Sequence, residues 1–298
     1  MNIIKKIFSK KQKSLKEVEK NKTIIVDGEE VELHQEAIEL LNIYENNIEA
    51  ARDENGEAQL EVGKALKKFA DYYWYGMNRI DEAIDWLKKA ADKGYGAAYT
   101  QLGMYYYSER YERLDYEKAL SLFHKALQLG DAEGVYQIGY SYQNGYGVEK
   151  DLYEAFSWFL KAAELGSGEA MEEVGIAYYE GNVIEEDKDK AFQYLSNALV
   201  KCEYHLKHFY YYLALCYMKG EGTDKNPKRA VEVLERVSKK SISRKYDEER
   251  NLLAYCYENG IGTEMNIEKA MEVRRQLKNS EKFWDDFAAI MISDKSAE

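Results

Sequence analysis

Three places in the 298-residue chain carry residues whose types and spacing suit chemistry. Cys202, His205 and His208 form a C-x2-H-x2-H string, and thiolate and imidazole are both zinc ligands. Steps of three drift around a helix, however, and no fourth ligand is placed beside them. The string therefore reads as the polar end of a helix, and no metal is expected. Glu185, Glu186 and Asp187 gather carboxylates of the kind a glycosidase pairs. No histidine, serine or cysteine is positioned with them, and acids are common throughout this chain. Gly145-Tyr146-Gly147 resembles a phosphate-cradling loop in spacing only, because no strand precedes it. The same spacing recurs at Gly220 and Gly222 and at Gly260 and Gly262, as the turn of a repeat would. His34 and His124 stand alone. The expectation is a protein that is not an enzyme and holds no cofactor.

The elements that position these residues repeat. Gly94, Gly130 and Gly166 lie 36 residues apart, the period of a stacked supersecondary unit. Six units align on two anchors. The first is a small residue inside a first helix: Gly63, Gly103, Gly139, Gly175, Ala214 and Ala254. The second is an alanine in a second helix: Ala83, Ala119, Ala155, Ala191, Ala230 and Ala270. Glycine inside a helix costs about 1 kcal/mol against alanine, so its recurrence predicts close approach of the paired helix. Three residues beyond the first anchor stands a tyrosine in five units: Tyr106, Tyr142, Tyr178, Tyr217 and Tyr257. Asp115, Asp151, Asp187, Asn226 and Asn266 precede the second anchors by four residues and read as N-caps of the second helices. Pro227, the one proline, follows Asn226 at the first helical position, where its missing N–H costs nothing. Glycines 94, 130 and 166 are expected to end second helices.

The ends depart from this pattern. Residues 1–22 place Ile3, Ile4, Ile7 and Phe8 on one face of a helix, with Lys5 and Lys6 among the basic residues that fill the rest. They carry a charge of +6, against −18 for the rest of a chain whose total is −12. This is a basic amphipathic helix or tail, able to meet anionic lipid or to pack on an acidic surface. Thr23–Leu33 switches to β-branched alternation around Asp27-Gly28, a hairpin signal. Residues 35–52 carry a helical stripe, so 23–56 reads as an N-terminal cap ahead of repeats at 57–279. Ser280 can start a last helix bearing Phe283, Trp284, Phe287, Ile290 and Met291, which would cap the array over 280–298.

Composition narrows the function. An acidic body argues against nucleic acid and suits basic protein partners. Three cysteines cannot close a disulfide framework, and Cys216 and Cys256 sit at equivalent core positions, which points to a reducing, cytoplasmic setting. No run of about 18 apolar residues marks a membrane span. Tyrosine, at 27 residues, is rich enough to build both cores and binding faces.

The third unit shows Ile138-Gly139, Tyr142, Gly145, Gly147-Val148, Asp151, Ala155, Trp158-Phe159, Lys161-Ala162-Ala163 and Gly166. This resembles the Sel1-like repeat, a relative of the tetratricopeptide repeat. The resemblance implies an all-α, α/α superhelical solenoid that acts as a scaffold or adaptor through protein contacts, while the lysine-, glutamate- and asparagine-rich, proline-poor composition points to a bacterial source. It also implies that first helices line a concave face. The side chains expected there are Met104, Tyr107, Tyr136, Tyr140, Gln143, Glu172, Ile176, Tyr179, Tyr211, Asn251 and Tyr255. Such a groove of tyrosines and acids suits a peptide or helix with basic and apolar side chains. The alternative reading is a membrane-tethered regulator or immunity-type protein, held at the inner face of the membrane by residues 1–22.

Overall fold

The computed structural model describes residues 23–26, 29–32, 35–72, 80–111, 113–201, 209–240, 247–275 and 277. The basic N-terminal segment, the C-x2-H-x2-H string and the expected capping helix after Ser280 lie outside them. Strands β1 (Thr23–Val26) and β2 (Glu29–Glu32) pair antiparallel, with Thr23 opposite Glu32. All other regular elements among the described residues are helical.

The chain divides into two compact units. The first, residues 1–137 with 146–148, holds α1 (Gln35–Arg52), α2 (Gly56–Tyr72), α3 (Ile80–Asp92), α4 (Gly96–Tyr107), α5 (Tyr116–Gln128) and the start of α6 (Ala132–Asn144). The second, residues 138–145 with 149–298, holds the rest of α6 and α7 (Leu152–Glu164), α8 (Gly168–Glu180), α9 (Lys188–Lys201) and α10 (Phe209–Lys219). It ends with α11 (Pro227–Lys240), α12 (Asp247–Asn259) and α13 (Ile267–Arg275). From α2 onward the helices pair as six repeats, α2 with α3 through α12 with α13. Helix α1 lies against α2, where Tyr44, Ile48 and Ala51 bury onto Ala58, Val62 and Leu66.

The anchor glycines are set by contact. A methyl at Gly63 would reach 2.7 Å from Leu87; one at Gly139 would reach 2.7 Å from Phe159; one at Gly175 would reach 2.8 Å from Leu195. Gly103 meets Phe123 in the same way. In every case the partner lies four residues beyond the anchor alanine. Small against large at one fixed place is what lets the two helices of a repeat close on each other. In the last repeat that place belongs to Arg274, which pairs bidentately with Glu258 at 2.6 and 2.8 Å.

The turn within each of the last five repeats rests on one tyrosine. Its carbonyl accepts the N–H of the N-cap residue: Tyr106 from Asp115, Tyr142 from Asp151, Tyr178 from Asp187, Tyr217 from Asn226 and Tyr257 from Asn266. Each cap side chain then accepts from the backbone N–H three residues on, at Lys118, Glu154, Lys190, Arg229 and Lys269. The capping expected from sequence is present in all five repeats. Sequence reasoning missed the next step. Lys118 Nζ lies 3.9 Å from the Tyr106 ring centre, Lys190 Nζ 5.1 Å from Tyr178, and Lys269 Nζ 5.3 Å from Tyr257. In the fifth repeat Arg229 is held protonated by Glu232 first and by the Tyr217 hydroxyl second. The capped residue thus folds its own cation onto the tyrosine that anchors the cap.

Candidate functional site

The eleven side chains expected on a binding face divide by burial. Tyr136, Glu172, Tyr179, Tyr211 and Asn251 are buried. Four of these, with Thr100, occupy one repeat position, three before the anchor. Thr100 shows its use: the hydroxyl donates to Asp131 at 2.5 Å, and Asp131 also accepts the N–H of Gly134 in α6. Tyr179 donates to Glu221 at 2.6 Å, while Lys188 Nζ stacks 3.7 Å from its ring and donates to its carbonyl at 2.6 Å. Burial, then Glu221, pushes the Tyr179 hydroxyl far above its usual pKa. Burial also pushes Tyr211 up to about 12, helped by Glu248 and Glu249.

Met104, Tyr107, Tyr140, Gln143, Ile176 and Tyr255 are half-buried. In the first unit Tyr107 is packed edge-on to Tyr116 at 5.2 Å and to Tyr146 at 5.3 Å, and those two rings stack at 4.7 Å. In the second unit Gln143 and Ile176 share a cleft of about 120 Å3 with Leu152, Phe156, Phe159, Glu173, Glu180, Asn182 and Val183. This is room for one side chain, with an apolar floor and an acidic, amide-bearing rim.

A change of one residue accounts for the cleft. The second loop glycine of a repeat presses on the first residue of the preceding second helix. A methyl at Gly147 would stand 2.8 Å from the Tyr116 carbonyl, and one at Gly222 would stand 2.7 Å from the Lys188 carbonyl carbon. Gly262 meets Pro227 alike. All three glycines have positive φ, between 68° and 73°. The fourth repeat reads Gly181-Asn182-Val183, so a branched residue stands in the glycine's place. A β-branched side chain is strained at positive φ, and Val183 does not adopt it. The loop stands off, and Leu152, the first residue of α7, is left 42% exposed where Tyr116, Lys188 and Pro227 are half-buried. The substitution is visible in the sequence as Gly181-Asn182-Val183 against Gly145-Tyr146-Gly147.

The other candidate groups resolve into structure. Asp187 caps α9, and the Lys190 N–H and ammonium hold its carboxyl below the usual range. Glu186 pairs with Lys188 at 3.1 Å. Cys216 and Cys256 are buried core thiols, as expected. His124 is half-buried on α5. Among the described residues no three metal-ligating side chains converge, and no helix is long and apolar enough to cross a membrane.

The Sel1 repeat model matches residues 56–95, 96–131, 132–167, 168–199, 208–236 and 250–272, more than half of the chain. The chain belongs to the Sel1 repeat family. Those matches are the six helix pairs, and Sel1 repeats are a class of solenoid that typically mediates protein–protein contacts. Among solved structures, the chain is similar to c5321, a protective antigen of uropathogenic Escherichia coli with an SLR fold, at 25% identity and TM-score 0.59. That match covers 78% of this chain and 48% of the E. coli protein, so the chain spans about half of that relative's length. A Sel1 repeat protein of Oxalobacter formigenes matches at 25% identity and TM-score 0.57, over 74% of this chain and 84% of its own. No curated protein sequence matches significantly.

Proposed function

We propose that this Sel1 protein is a non-enzymatic scaffold that binds a protein partner on the first-helix face of its repeats. The partner inserts one apolar side chain between Leu152 and Val183 and sets basic side chains on the rim at Glu173 and Glu180. The observation that carries this reading is the cleft itself. It opens on Gln143 and Ile176, two of the residues that the family resemblance implies for the binding face. Its acidic rim suits a basic segment, and the acidic body of the chain steers one toward it.

The test is affinity capture from native lysate with the intact protein and with Val183→Arg or Leu152→Glu. Leu152 is 42% exposed and Val183 stands in a loop, so the helical CD spectrum and thermal midpoint should hold while the captured partner is lost. Undiminished capture by both variants would move the site off this face. Buried Tyr136 and Tyr179 are unsuitable for this purpose, since truncating them breaks packing.

The basic, amphipathic pattern of residues 1–22 favours a second reading, peripheral attachment to an anionic inner membrane face. Flotation with anionic liposomes, comparing the full chain with one starting at Lys22, decides it. Equal partition of the two would remove the membrane from the account.

A further inference from the structure

We propose that Tyr142 and Glu154 in the third repeat form an open receptor for a lysine or arginine side chain of a protein partner. The other repeats show what this place takes. Lys118, Lys190 and Lys269 each lay an ammonium over the equivalent tyrosine, and Arg229 meets Tyr217. These cations sit in the first turn of a helix, where the helix dipole disfavours them. The aromatic face beside them offsets that cost, because its negative quadrupole attracts a cation.

In the third repeat the backbone is unchanged. Asp151 accepts from the Glu154 N–H at 3.1 Å, and Tyr142 accepts the Asp151 N–H at 3.0 Å. Only the charge is reversed. Among the described residues no cation lies over the Tyr142 ring, and Glu154 makes no ion pair and is exposed. A ring that carries the chain's own cation elsewhere is half-exposed here and carries none from the described residues, and a carboxylate stands at the position where that cation is rooted in the other repeats. An incoming ammonium or guanidinium gains both partners at once. Its aliphatic stem can lie on Tyr153, which is 69% exposed. Glu154 lies about 200° around α7 from Leu152. The receptor is therefore separate from the cleft and does not depend on it.

The probe is an acetylated, amidated pentapeptide, Gly-Leu-Lys-Leu-Gly, with its norleucine analogue as the uncharged control. Each is titrated into the full-length protein carrying ring-labelled tyrosine, and NMR follows the Tyr142 resonance, identified by its absence in Tyr142→Phe. The lysine peptide should shift that resonance saturably and the norleucine peptide should not. Glu154→Gln should weaken binding at least threefold. Glu154→Lys, which supplies the chain's own cation, should abolish the shift. Val183→Arg, which blocks the cleft from its loop, should leave it unchanged, so failure here and failure of the cleft are told apart. No response of Tyr142, an equal response to both peptides, or a full response in Glu154→Lys would overturn the proposal.

Discussion

The hydroxyl of Tyr179, near the end of α8, donates to the carboxylate of Glu221, 42 residues on, at 2.6 Å. The bond joins the fourth repeat to the loop of the fifth. Tyr179 is 8% exposed, and its ring also carries the Lys188 ammonium. A hydrogen bond to a charged group contributes about 1.5–3 kcal/mol. Tyr179→Phe should lower unfolding free energy by that amount in urea titration. Tyr179→Ala should cost more, because it also removes a buried ring.

Gly222 and Gly94 separate two reasons for glycine. Both have positive φ, at 68° and 86°. At Gly222 a methyl would overlap the Lys188 carbonyl, whereas at Gly94 nothing lies within 4 Å. Gly94→Ala should cost about 1–2 kcal/mol, the strain of the left-handed backbone. Gly222→Ala carries the same strain plus the clash, and should cost at least about 1 kcal/mol more by chemical denaturation.

Val183→Gly should close the cleft, since glycine there can take the conformation of Gly147, Gly222 and Gly262. Leu152 would then be covered. Alkylation of a cysteine placed at 152 should slow at least fivefold when Val183 is also replaced. An unchanged rate would detach the cleft from the valine.

Burial pushes the thiols of Cys216 and Cys256 from the usual 9.0 up to about 12. The folded protein keeps protons that the unfolded chain gives up above pH 9. Their contribution to stability is therefore complete below pH 9 and is lost as pH rises through 12. The slope is at most about 1.4 kcal/mol per pH unit for each thiol. Tyr211, pushed up from 10.0 to about 12, acts in the same direction. Thermal midpoints should hold up to about pH 9 and then fall steadily between about pH 9 and 11. Neither thiol should react with Ellman's reagent in the native state, and both should react in guanidinium.

Much of the fold was legible because each repeat states its rules six times. Gly139 facing Phe159, and Asp151 capping α7, follow from residue type and spacing alone. The candidate face was legible only as a stripe. Residues three before and one or four after the anchor share a helix side, so spacing cannot separate Tyr136, buried, from Tyr140, half-buried. What separates them is burial by residues distant in the chain, which spacing within one helix does not encode. The second-repeat loop is a similar case. Glu109–Tyr111 lacks glycine and forms a short 3-10 turn instead, with Tyr111 buried and its hydroxyl donating to Asp71. That bond spans 40 residues, and no local pattern announces it.

The stand-off at Val183 also bears on how the second unit comes apart. In a stacked array, stability is close to a sum of repeats and nearest-neighbour junctions. The junctions made by Gly222 on Lys188 and Gly262 on Pro227 have a loop closed against the helix before it, and the junction at Leu152 does not. Within that unit the start of α7 is therefore the second-helix start that no following loop closes on. Amide hydrogens at the start of α7 should exchange ahead of those at the starts of α9 and α11. The same residue that makes room for a guest also sets which second helix frays first at its start.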